Sequence, residues 1–160
     1  MAPTTPEGFV LPPGEALDSA RDGRMAIKAR GAQTAGAFAL LELVQPRETP
    51  GPPLHVHHEC DETYYVLEGT LTVRLGQRTI DAPPGSFVLI PRGIAHTFAN
   101  RAAQPVRFLG TISPASYFGY IEEINALRAA TPAGGRIDMA QATAIGNRYA
   151  TQFLGPPLDR

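Results

Sequence analysis

The chain has 160 residues and a formal net charge of -1, from 14 basic and 15 acidic side chains. Near-neutrality removes the electrostatic case for nucleic acid or an anionic membrane surface as a partner, and no apolar run approaches the length needed to span a bilayer. The single cysteine excludes an internal disulfide, so a cytoplasmic protein with one compact core is the default expectation.

Residues 1–20 are proline-rich and lack a basic segment followed by an apolar stretch, so they read as an arm without a core of their own rather than a secretory signal. Residues 21–115 read as a barrel. Met25–Ala29 and Phe38–Val44 are strand-like, and Leu54–His57 is extended. The polar run His58-Glu59-Cys60-Asp61 suits a turn, and the aromatic and β-branched segment Thr63–Leu67 returns from it as a strand. Leu71–Leu75 and Arg78–Ala82 follow, and Pro83-Pro84-Gly85 breaks the chain. Ser86–Ile90 is an apolar strand ended by Pro91-Arg92-Gly93, and Ile94–Asn100 and Val106–Ser113 complete a series of about eight or nine strands, read as an all-β meander that closes into a barrel or jelly roll. From residue 116 the period changes. Tyr117, Tyr120, Ile121, Ile124 and Leu127 recur at helical spacing, and Thr131-Pro132 ends that helix. A second short helix is expected over 138–147, followed by an irregular tail. Residues 116–160 thus form a C-terminal helical extension packed on the barrel.

Chemistry concentrates in the histidines. His55 and His57 are two apart, so on an extended strand their rings leave the same face. Glu62, as the first residue of the returning strand, is expected to face His57 across a hairpin. Glu59 is the competing carboxylate, since it keeps the parity of His55 and His57 if the strand runs straight on; Glu62 is preferred. With His96 these side chains make a donor set of three imidazoles and one carboxylate. Neutral imidazole suits first-row transition metals, and the carboxylate adds hard anionic character.

The same residues fall into a recognisable pair of motifs. His55-x-His57, four intervening residues, Glu62, six more and Gly69 form the first; Gly85, Pro91, Gly93, His96 and Asn100 form the second. They resemble the two signature motifs of the cupins, G(X)5HXH(X)3-4E(X)6G and G(X)5PXG(X)2H(X)3N. The second matches in full. The first departs at its leading glycine, where Thr49 stands and the nearest glycine, Gly51, comes two residues late. The spacing between the motifs resembles that of small microbial single-domain cupins, or monocupins. The ligand arrangement, with Phe108–Pro114 leading into a helix, is most similar to the quercetin dioxygenase-like branch.

The resemblance implies a cupin double-stranded β-helix, or jelly-roll barrel, with one divalent transition metal (Fe, Mn, Ni, Co, Cu or Zn) held by His55, His57, Glu62 and His96. It further implies a dioxygenase, hence an oxidoreductase, acting on a small enolisable or phenolic compound, with Glu62 also the catalytic base. A metal-dependent decarboxylase, isomerase or cyclase would use the same Lewis acid, and a non-catalytic small-molecule binding cupin is a third class. Arms of this kind in cupins often lie on a partner subunit, so a homodimer is expected. Tyr64, Phe87, Leu89 and Phe98 are the expected substrate-pocket residues. His58 is read as solvent-exposed and Cys60 as an inert thiol; Tyr117, Phe118 and Tyr120 are read as helix packing.

Overall fold

Twelve strands and two helices make up the fold of the computed structural model, which describes residues 7–20, 22–132, 135 and 137–159. In chain order the strands are β1 (Asp18–Ser19), β2 (Met25–Ala29), β3 (Ala39–Gln45), β4 (Thr49–Pro50), β5 (Leu54–His57), β6 (Asp61–Glu68), β7 (Leu71–Leu75), β8 (Arg78–Ala82), β9 (Phe87–Ile90), β10 (His96–Asn100) and β11 (Val106–Ser113). A 3-10 turn (Ala115–Tyr117), α1 (Phe118–Ala130), α2 (Met139–Arg148) and β12 (Thr151–Gly155) follow.

The strands form two antiparallel sheets. One runs β1-β2-β3-β11-β6-β9; the other runs β12-β5-β10-β7-β8, with β4 also paired to β10. This is a jelly-roll order, and it corrects the expected meander. Glycine and proline turns mark where strands end but not which strands pair. The expected hairpin between the first two motif segments is absent for the same reason: β5 pairs with β10 and β12, whereas β6 pairs with β11 and β9 in the opposite sheet. The expected irregular tail is also replaced in part by a strand, because Thr151, Gln152 and Phe153 lie opposite His57, Val56 and His55 on β5.

Between the sheets the interior divides in two. At one end Val66, Leu71, Val73, Val106 and Phe108 are buried together with Tyr64. Phe108 meets Tyr64 and Phe98 edge to face at 5.3 and 5.5 Å, the arrangement that ring quadrupoles favour. At the other end Ile27, Leu41 and Ile112 of the barrel pack with Tyr117, Phe118, Tyr120 and Ile124 of the helical segment and with Ala142 and Ile145 of α2. His57 touches Tyr117 of the second group and Glu62 touches Tyr64 of the first.

Local chemistry ends the helices. Thr131 after α1 has extended backbone and is followed by Pro132, which disfavours a helical residue before it. Asp138 caps α2 by accepting from the amides of Ala140 and Gln141 at 2.8 and 3.3 Å. In the arm, residues 1–6 lie outside the described residues, while β1 pairs with β2. Phe9 and Leu11–Gly14 border a cavity of about 660 Å³ over Phe38 and Leu40 of the same chain.

Four motif positions are explained by what surrounds them in the backbone. Buried Asn100 points its amide nitrogen at the carbonyls of Gln45, Pro46 and Gln104 (3.1, 2.9 and 2.8 Å) and accepts from the Ala102 amide at 3.0 Å, so it ties the end of β3 to the connection between β10 and β11. Thr49, at the departed glycine position, lies opposite Asn100, and the close approach falls instead at Gly51, where a Cβ would stand 2.0 Å from the Phe98 carbonyl oxygen. Gly69 combines a φ of +73° with a Cβ position 2.5 Å from the Pro105 oxygen, whereas Gly85 has a φ of +85° in open space. Gly85→Ala should therefore cost about 1–2 kcal/mol for the left-handed backbone alone, and Gly69→Ala clearly more. Equal urea midpoints for the two variants would contradict this difference.

Candidate metal centre

The second sheet presents the imidazoles. His55 and His57 share the inward face of β5, and His96 on β10 sits directly opposite His55 in the register. Their rings lie 4.3 to 5.0 Å apart between centroids, and one nitrogen from each can be chosen so that all three are within 4.8 Å of one another. Glu62 comes from the first sheet. Its Oε1 lies 3.4 Å from His57 Nε2 and its Oε2 3.3 Å from His96 Nε2. The expected meeting of Glu62 and His57 thus occurs across the barrel interior rather than across a hairpin. All four side chains are buried, at 1 to 6 % exposure.

Flanking contacts fix these positions. Arg92, in the turn before β10, donates to the Asp61 carboxylate from its backbone amide and from Nε and Nη2 at 2.8, 3.1 and 2.7 Å, holding Asp61 at about 2. The Gly93 amide donates to the His57 carbonyl at 2.7 Å. The turn that delivers His96 is thereby tied to both other motif strands.

The outer nitrogens determine what the inner ones can do. His55 Nδ1 lies 2.7 Å from the Pro53 carbonyl and His96 Nδ1 3.0 Å from that of Ile94. A carbonyl only accepts, so each Nδ1 carries the hydrogen and each neutral ring turns a lone pair inward from Nε2. Burial, then the neighbouring rings of His96 and His57, lower the His55 pKa to about 3, so this imidazole is neutral. Burial alone would raise the Glu62 pKa, but His57 and His96 beside it hold the carboxyl well below the usual range. His96 Nε2 is buried without a hydrogen-bond partner among the described residues, despite its short distance to Glu62. Lone pairs converging on an ionised carboxylate repel unless a cation or an extra proton sits among them. The donor set of imidazole nitrogens and carboxylate oxygens therefore fits a divalent transition metal.

The remaining expected residues divide. Tyr64 follows Glu62 on the inward face of β6, and its hydroxyl donates to Glu62 Oε2 at 2.9 Å; burial and then Glu62 push its pKa far above the usual value, so it stays a donor. Phe98 is half-buried against Tyr64. Phe87 and Leu89 do not line the interior, because they face outward at 64 % and 53 % exposure. Val88 and Ile90, opposite Tyr64 and Glu62 in the register, take the inward positions. His58 and Glu59 are exposed. Cys60 is buried, and its thiol is pushed up to about 12 by burial and then by Glu62, which matches an inert role.

Two site residues had no reading as such in the sequence. The Tyr117 hydroxyl lies 2.5 Å from His57 Nδ1, Thr151 Oγ1 lies 3.0 Å from the same nitrogen, and the two hydroxyls contact each other. Helical spacing placed Tyr117 only in a packing stripe, and Thr151 fell in the segment read as an irregular tail. The one available signal was the β-branched and aromatic content of residues 151–153.

A buried three-histidine cluster with an acidic neighbour between the two sheets makes a jelly-roll barrel with a candidate metal site. Residues 40–112 match the family model Cupin_2, described as a cupin domain. The fold is shared with the TT1209 protein of Thermus thermophilus, which is 26 % identical with a TM-score of 0.50 over 61 % of this chain and 90 % of that one. The polyketide cyclase RemF from Streptomyces resistomycificus is 32 % identical with a TM-score of 0.49 over 56 % of this chain and 63 % of that one. An uncharacterized protein of Streptomyces coelicolor is 35 % identical over 57 residues, 36 % of this chain. The chain matches about half, 53 %, of that relative's length. No helix among the described residues is long and apolar enough to cross a membrane.

Purified wild-type protein should contain about one divalent metal per chain, with ligand distances near about 2.0–2.2 Å, and His96→Ala should lose most of it. Equal metal content in the two, by elemental analysis, would rule out this assignment.

Proposed function

We propose that the protein is a metal-dependent enzyme acting on a small enolisable or phenolic compound, with His55, His57, Glu62 and His96 holding the metal and Glu62 accepting a proton from the substrate. The observation that carries this reading is the buried Glu62 carboxylate set between the inward nitrogens of two histidines and hydrogen-bonded by Tyr64. When bound, a divalent metal supplies a Lewis acid that stabilises an enolate oxygen.

The chain's own groups supply the rest. Glu62 Oε1 is the oxygen free of the Tyr64 bond and is the proton acceptor; Oε2 stays held by the phenol. The apolar groups behind Tyr64, Phe98 and Phe108 among them, exclude water from that side and strengthen each charge interaction at the site. Dioxygen as co-substrate, attacking the carbon made electron-rich by deprotonation, gives the quercetinase-like dioxygenase reading. The Glu62–Tyr64 pair equally favours a second reading, proton-transfer chemistry without dioxygen in a decarboxylase, isomerase or cyclase.

Oxygen uptake on a panel of flavonols, β-diketones and catechols, with iron, manganese, nickel and cobalt in turn, separates the two. Uptake that scales with turnover supports the dioxygenase, and equal turnover without dioxygen replaces it with the second reading. On any substrate found, Glu62→Gln should lower activity per bound metal by about 10²-fold or more, as a missing general base does. An unchanged rate per metal leaves Glu62 as a ligand alone.

We propose in addition a homodimer that uses the arm, supported by Phe9 at 48 % and Val10 at 88 % exposure. Light scattering should give a dimer for the full chain and a smaller species for a chain lacking residues 1–16. A monomeric full-length protein rejects the assembly.

A further inference from the structure

His57 is held differently from the other two histidines. The Nδ1 atoms of His55 and His96 face carbonyl oxygens, which accept only and so fix one tautomer. His57 Nδ1 faces two hydroxyls, from Tyr117 and Thr151, each of which can donate or accept. Both come from the C-terminal extension, one from the 3-10 turn before α1 and one from β12 beside β5. Thr151 Oγ1 also lies 3.3 Å from the Tyr149 carbonyl, an outlet to which a chain of hydroxyl hydrogens can point.

Two complete hydrogen-bond arrangements satisfy this geometry. In the first, the Tyr117 hydroxyl donates to His57 Nδ1 and the ring hydrogen sits on Nε2. There it points at His55 Nε2, 3.1 Å away, or at Glu62 Oε1, and relieves the convergence of lone pairs. In the second, His57 Nδ1–H donates to Thr151 Oγ1, Thr151 donates to the Tyr149 carbonyl, and Nε2 turns a lone pair inward. Between them one proton leaves Nε2 and one is taken up at Nδ1, exchanged with solvent, and the imidazole is neutral in both.

We propose that Tyr117 and Thr151 are opposed positioning residues that select the tautomer of His57: Tyr117 favours the form that cannot ligate, and Thr151 favours the form that can. The inference rests on the metal reading above and deepens it, since His57 becomes the adjustable ligand. A protein whose binding-competent form is only partly populated binds with its apparent affinity reduced by that fraction. The hydroxyl pair thus sets how tightly metal is held without touching it.

The two variants should move in opposite directions, which a merely structural role would not produce. In metal-free full-length protein labelled at histidine nitrogen, long-range ¹H–¹⁵N correlation should show His55 and His96 as the Nδ1–H tautomer and His57 as Nε2–H; adding zinc should convert His57 to Nδ1–H. Tyr117→Phe removes the donor, so metal-free His57 should read Nδ1–H and zinc, titrated against a chelator, should bind at least as tightly as in wild type. Thr151→Val removes the acceptor and should weaken zinc by about 10- to 100-fold, the usual effect of losing a ligand's outer partner, with Thr151→Ser restoring it. His57 found as Nδ1–H in metal-free wild type, or equal weakening in Tyr117→Phe and Thr151→Val, overturns the proposal while leaving the metal reading intact. Wild-type protein that does not bind zinc or any other divalent metal overturns the metal reading itself, and the metal-free tautomers still score the selection by Tyr117.

Discussion

The organising constraint is the removal from water of three imidazoles and an ionised carboxylate at one point between two sheets. Charged and polar groups so buried are tolerated only with partners, and every outer nitrogen has one: two strand-edge carbonyls and a pair of hydroxyls. The Arg92–Asp61 clamp and the Asn100 knot keep the strands bearing these groups in register. Much of what the motifs encode is therefore support for the donors rather than the donors themselves.

How much of this could be read in the sequence depended on whether the signal was local. Strand positions such as Leu71–Leu75 and Arg78–Ala82 were legible because Gly69-Thr70, Gly76-Gln77 and Pro83-Pro84-Gly85 bracket them, and the helix stop at Thr131-Pro132 is local backbone chemistry. The histidine cluster was legible because side-chain parity on one strand is a local property. Pairing was not. Glu62 was placed near His57 by a hairpin that does not exist, and it arrives there because β6 lies in the facing sheet. The outward turn of Phe87 and Leu89 was hidden because Ser86–Ile90 is almost uniformly apolar and shows no alternation. Register against Glu62 and Tyr64, a tertiary fact, decides it. Tyr117 and Thr151 converge from positions 34 residues apart, a contact that no short motif contains.

The two ends of the barrel interior divide the labour. One is a rigid aromatic and aliphatic plug that backs Tyr64 and Glu62; the other is closed by the 3-10 turn and α1, whose Tyr117 and Tyr120 rings lie 4.6 and 5.9 Å from His57. A barrel open at that end would leave His57 Nδ1 to water. Here the covering segment supplies apolar burial and the Tyr117 hydroxyl, and β12 adds the Thr151 hydroxyl, so both packing and polar satisfaction at this end come from the C-terminal extension.

The order of these groups along the chain separates the donors from the groups that hold them. All four inward donors lie between residues 55 and 96, inside the segment 40–112 that matches the cupin domain, whereas the two hydroxyls belong to residues 117 and 151. The four donors and the two hydroxyls thus occupy separate stretches of sequence, so the groups that face the outer nitrogen of His57 can be exchanged without altering the donors themselves.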